Sequence, residues 1–201
     1  MTEKIPIPLG RVLSGGATEY LCGCTEDRSG ALRIGTFLRA EAGGTSAIGI
    51  VADIRIVDDT FARQLVAGDA KADYINEQRD RRLTPLEVRV LQAGHIPPGG
   101  EARRRLPPRP PAALEAVYPC SGDEVRAFLR ASDGGWSFAF LPLLIAAGAS
   151  NEVLAECLRE AAAAQPADPE KRFLKEAARE LTRLLAEDLQ RLYSLLPQLA
   201  A

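Results

Sequence analysis

Histidine is nearly absent from this chain. His95 is the only one in 201 residues, which leaves few ways to build a Ser-His or Cys-His nucleophilic pair. Lysine is scarce as well. A P-loop needs a lysine followed by Ser or Thr, because that lysine reaches the β- and γ-phosphates. Lys4, Lys71, Lys171 and Lys175 are followed by Ile, Ala, Arg and Glu. No Walker A site is encoded, and the chain is expected neither to bind nor to hydrolyse ATP. Aromatic residues are 5% of the total, so the core must be mostly Leu, Val, Ile and Ala within a hydrophobic share of 46%. No segment approaches the ~18 uninterrupted apolar residues of a membrane-spanning helix. The opening MTEKIPIPLGRV lacks the apolar centre of a signal peptide, so a cytoplasmic chain with reduced thiols is expected. A net charge of -2 gives no global attraction to nucleic acid or membrane. Any charge-driven role must come from a local patch.

The four cysteines are Cys22, Cys24, Cys120 and Cys157. Cys22 and Cys24 form C-x-C, which on a strand turns both thiols to one face. A zinc site would want two more ligands at similar short spacing, and His95 is far away. Small buried hydrophobes are the expected role, with no metal and no cofactor.

Up to residue 96 the pattern is strand-like. GRVLSG, TEYLCGCT, RIGTFLRAE, SAIGIVADIRIV and LEVRVLQAGHI are separated by Gly- or Ser-rich turns, as in a small barrel or sandwich. Gly35 and Gly49 inside strands mark bulges or bends. Alternation puts Asp53 with Val51 on one face and Ile50 with Ile54 on the other. An inward acid would be a functional candidate, and an outward one is the expected case. His95 ends a strand before two prolines, where a polar rim residue belongs. One stretch, residues 60–82, has no β pattern and reads as a helical or irregular insertion. Residues 97–119 hold half of the chain's 14 prolines and read as an extended connector and domain boundary.

Beyond residue 119 the pattern is helical. Ser121 followed by Glu124 is a capping box. Ser150 or Asn151 caps a second helix. The longest helix is expected over residues 168–196, with Pro169 in its first turn. Leu174, Ala178, Leu181, Leu185, Leu189, Leu192 and Leu196 form its buried stripe, and Glu187 and Arg191 pair on the polar side. The expected fold is therefore α+β: an N-terminal small β-barrel over 1–96 with a helical insertion at about 60–82, a connector over 97–119, and a C-terminal α-helical domain over 120–201.

Two basic clusters remain. One is Arg79, Arg81 and Arg82. The other is Arg103, Arg104, Arg105 and Arg109, which proline holds extended. Such arginines can contact phosphates, or they can keep a linker solvated. No aromatic is interleaved with them, so base stacking is not indicated.

Three stretches together resemble the HerA–ATP synthase barrel family, or HAS-barrel. They are Gly10-Arg11-Val12, then Ile34-Gly35-Thr36-Phe37-Leu38, then Gly49-Ile50-Val51-Ala52-Asp53-Ile54. The resemblance covers roughly residues 5–118. It implies barrel-building roles for Gly10, Val12, Gly35, Phe37, Gly49, Val51 and Ile54. It also implies an assembly module, because such barrels join neighbours into rings and, in HerA-type DNA translocases, face the NurA nuclease of DNA-end processing. In those translocases a RecA-like ATPase follows the barrel. Here about 80 residues of helical pattern follow it, so motor function does not carry over. The resulting expectation is a non-enzymatic assembly or adaptor protein. It would form a homo-oligomer, or dock on a HerA-like ATPase or NurA-like nuclease, through strand edges before residue 96. A nucleic-acid-binding module using the arginine-rich connector, with weak DNA binding, is one alternative. An enzyme with a site between barrel and helices is the other.

Overall fold

The computed structural model describes residues 7–25, 32–57 and 85–200. The expected insertion at about 60–82, with Arg79, Arg81 and Arg82, lies outside the described residues.

Six strands form the N-terminal part: β1 (Gly10–Gly15), β2 (Glu19–Thr25), β3 (Phe37–Ala42), β4 (Thr45–Ile56), β5 (Pro85–Ile96) and β6 (Ala116–Pro119). All neighbours are antiparallel, and the order β1-β2-β5-β4-β3-β6 closes on itself. The closing pair is β1 with β6, through Gly10 opposite Val117 and Arg11 opposite Ala116. Two expectations change here. The last barrel strand comes from inside the stretch read as a connector. Pro119 still obeys the rule that proline avoids ladder interiors, since it ends β6. Closure also removes the free edges expected to accept another chain's strand.

The barrel lumen holds Val12, Tyr20, Cys22, Cys24, Leu38, Ala40, Val51, Val88, Val90 and Val117, an almost purely aliphatic filling. Cys22 and Cys24 face inward together, as period-2 alternation requires. Gly49 is tight against this lumen, where a Cβ would stand 2.5 Å from Val90 Cγ1. Strict alternation fails near the end of β4. The register runs Val51 opposite Val90 and then Asp53 opposite Arg89, leaving Ala52 as a bulge. Val51 is therefore inside, Asp53 is half-exposed outside, and Ile54 returns to pack against the lumen. Asp53 does not share a face with Val51.

Five helices follow: α1 (Gly122–Leu129), α2 (Leu141–Ala146), α3 (Asn151–Ala163), α4 (Ala167–Leu184) and α5 (Leu189–Ala200). Ser121 and Glu124 make the full capping box on α1, and Ser150 caps α3 through the Val153 N–H. The single helix expected over 168–196 is two. The chain breaks at 185–188, where Asp188 Oδ1 accepts the Arg191 N–H at 3.0 Å and starts α5 afresh. The break rotates the stripe. Phe173, Ala177, Leu181 and Leu185, and Leu192, Leu195 and Leu199 of α5, are buried in one cluster, and Leu189 is exposed. Glu187 sits in the turn, and Arg191 reaches Asn151 instead.

The helices do not close a core of their own. Phe37, Ile48, Ile50, Leu91 and Ala93 point outward from β3, β4 and β5. They share one cluster with Phe128, Phe140, Leu144 and Leu154. The Phe37 ring meets Phe128 and Phe140 edge-on at centroid distances of 6.3 Å. Burying each such side chain stabilises the junction by about 2 kcal/mol. Gly35, just before β3, lets the barrel backbone touch α3. The Phe37 N–H then donates to Glu160 Oε1 of α3 at 3.0 Å. Arg39 of β3 pairs with Glu124 of α1 at 2.8 Å, so the capping residue also ties its helix to the barrel.

Candidate functional site

Among the described residues, helices pack on the outer side of β3, β4 and β5. Among the described residues, none from β1 or β2 enters the shared cluster. Next to the helical junction, where Arg89 Nη2 donates to Ala147 O at 3.4 Å, residues of β2, β4 and β5 line a shallow groove of about 460 Å³, bordered by Ser14, Gly15 and Gly16 of the β1–β2 hairpin. Strand register sets its charge pattern. Asp53 lies opposite Arg89, and Arg55 lies opposite Glu87. Arg89 grips Glu19 Oε2 through Nε at 2.8 Å and Nη2 at 2.6 Å, and Arg55 holds Asp53 at 2.6 Å. Acid and base thus alternate across the face. Beside it, the β1 register shifts between Val12 and Ser14, which leaves Leu13 as the extra residue. Leu13 lies over Gly23, 49% exposed. Leu114 is nearby on the β6 side, 70% exposed. It is held at positive φ by its N–H to Val12 and by Arg11 Nη1 to its carbonyl.

The arginine cluster separates into different roles. His95 and Arg103 exchange both backbone hydrogen bonds at 2.8 Å, which holds the connector against the end of β5. The chain bends at Arg104 and Arg105, and the three side chains part. Arg104 turns inward, lies over the Phe128 ring at 5.7 Å, and donates to the carbonyls of Phe128 and Arg130 at the end of α1. Burial lowers its affinity for its proton, partly offset by Glu101. Arg103 and Arg105 turn outward and make no ion pair among the described residues. With Ala102, Arg104, Ser137 and Ala139 they line an open groove of about 470 Å³. Arg109 does not join them. Its Cδ lies against the β3–β4 turn, 3.4 Å from where a Gly43 Cβ would stand.

Arg104 exemplifies a use that sequence reading misses. Arg126 donates to Ala164 O at the end of α3, Arg159 to Gln198 O of α5 at 2.7 Å, and Arg191 to Ala149 O at 2.5 Å. A guanidinium fork suits the unpaired carbonyls at helix ends, and its charge suits the negative pole there. The available signal was composition: 21 arginines stand against four lysines.

His95, near the end of β5, is buried. Its Nδ1–H donates to Arg105 O at 3.0 Å, since a carbonyl can only accept. Tyr20 is buried in the lumen, and its hydroxyl has no protein partner among the described residues. Burial, with help from Cys22 and Cys120, raises its pKa well above the usual value. Burial pushes the Cys22 thiol up to about 12, and Cys120 likewise to about 12. Among the described residues no three of His, Cys, Asp and Glu gather as a metal cluster, and no helix is long and apolar enough to cross a membrane. The chain matches no protein-family model and no curated protein.

Proposed function

We propose that this chain is a non-enzymatic assembly module that docks through the bare side of its barrel onto a second copy of itself. The observation that carries this reading is the division of the barrel surface. Among the described residues, helices bury the outer side of β3, β4 and β5 around Phe37, Ile50 and Leu91, while the groove bearing Glu19, Asp53, Arg55 and Glu87, with Leu13 beside it, is left open. Alternating charge is self-complementary: a rotated copy can set Arg55 against Glu87 and Glu87 against Arg55. Leu13 and Leu114 supply apolar area beside it. The closed six-stranded barrel fits the HAS-barrel resemblance, and side-by-side packing of such barrels is the assembly that resemblance implies. Closure means that docking uses side chains and not strand addition. The buried, backbone-tied His95 is not placed to act as a general base, which favours this reading over an enzyme. If the copies assemble, the same face is the candidate contact for a HerA-type translocase or NurA-type nuclease.

Light scattering on the full chain tests this, beside Leu13→Asp and Glu87→Lys. The expected result is an oligomer that Leu13→Asp and Glu87→Lys each reduce towards monomer. A full chain that stays monomeric at high micromolar concentration refutes self-assembly. An oligomer that ignores both substitutions places the contact elsewhere.

A further inference from the structure

The docking reading leaves the arginine groove unused. Arg103 and Arg105 are both exposed and flank the inward Arg104, where the chain bends. Their backbone is fixed at three points: the paired His95–Arg103 hydrogen bonds, the His95 ring on Arg105 O, and the inward Arg104 on the α1 carbonyls. Both outward guanidinium groups are therefore projected from a rigid support, and neither is neutralised by a carboxylate among the described residues. Arg104 Nε lies buried without a hydrogen-bond partner beside the same groove. Arg130, whose carbonyl Arg104 holds, is exposed and likewise makes no ion pair among the described residues. The exposed Glu101 acts electrostatically on Arg104. Ser137 adds a hydroxyl to the lining, and Ala102 and Ala139 leave the groove wide and shallow.

We infer that this groove is a phosphate-recognition site for the backbone of a nucleic-acid strand, with Arg103 and Arg105 as the contacting residues and Arg104 as the residue that positions them. The groove lining has no aromatic side chain. Trp136, next in sequence to Ser137, is engaged edge-on by Phe173 at 5.3 Å and lies under Arg172 at 5.6 Å. Binding is therefore electrostatic and blind to base sequence. It does not depend on the barrel docking described above, since the two surfaces share no residue.

The test uses the full chain and a labelled oligothymidylate, followed by fluorescence anisotropy across a salt series. Arg103→Ala/Arg105→Ala is compared with Arg172→Ala/Arg183→Ala, which removes the same charge from the helical part. Arg104 is left intact because its loss would free the α1 carbonyls. The expected result is binding at low salt that weakens about tenfold or more in the Arg103/Arg105 variant. The slope of log K against log salt should also flatten by about 1.4, at ~0.7 per single-strand phosphate contact. The control variant should lose much less. Absence of binding at low salt overturns the site, as does equal loss in both variants. Calorimetry with inorganic pyrophosphate forms a separate arm: if pyrophosphate binds at Arg103 and Arg105 while the oligonucleotide does not, the strand is not the ligand.

Discussion

Gly35 sits so close to Cys157 that a Cβ built on it would stand 2.5 Å from the Cys157 backbone nitrogen. Its φ of +88° is also one that side chains resist. Barrel and helices thus meet backbone to backbone. Gly35→Ala should cost about 3 kcal/mol, combining strain and overpacking. Urea unfolding followed by circular dichroism measures this. A loss below ~0.5 kcal/mol would mean that the junction gives way easily.

Glu160 faces the same junction and should make stability depend on pH. Burial raises its pKa above the usual 4.5, although the Phe37 N–H, the Thr36 side chain and Arg33 pull the other way and Glu156 adds to the rise. The folded chain then holds this proton more tightly than the unfolded chain does. Its contribution is fully present below pH 4.5 and is lost as pH rises through the folded value. Glu160→Gln keeps an acceptor for Phe37 and abolishes that loss. The difference in unfolding free energy, variant minus parent, should rise with pH and then level off. A flat difference would contradict the assignment.

The buried thiols should be inert. Burial holds Cys22 and Cys120 near 12 and raises Cys157 as well, so little thiolate exists at neutral pH. Iodoacetamide followed by mass spectrometry should label these three slowly in the native chain and quickly in denaturant. Rapid native labelling of Cys22 or Cys157 would show that the lumen or the junction opens.

Local signals carried far along the sequence. The Ser121–Glu124 box is written within four residues, because a cap needs only neighbours in sequence. The paired inward thiols of Cys22 and Cys24 follow from strand geometry alone. Glycine at position 35 marked a bend, but its partner Cys157 is more than a hundred residues away, and no local pattern names it. The α4–α5 break was hidden because Asp188 fits a continuous helical pattern as readily as a new N-cap. Among the arginines, the run itself was visible, while the bend that turns Arg104 in and leaves Arg103 and Arg105 exposed depends on the pairing with His95.

By itself the sequence determined which elements form and what chemistry is missing. Five of the six strands, the helical second half, the absence of a P-loop and the near absence of histidine are properties of short windows and of counts. Only the tertiary structure decided that β6 closes the barrel, that Ala52 bulges so that Val51 and Ile54 both face the lumen, and that the helices bury the outer side of β3, β4 and β5. These outcomes depend on pairing between segments distant in sequence. There, burial of Phe37, Ile48, Ile50 and Leu91 against Phe128 and Phe140 outweighs local preference. Among the described residues, the groove left open on the barrel and the arginines left without an ion pair follow from that packing.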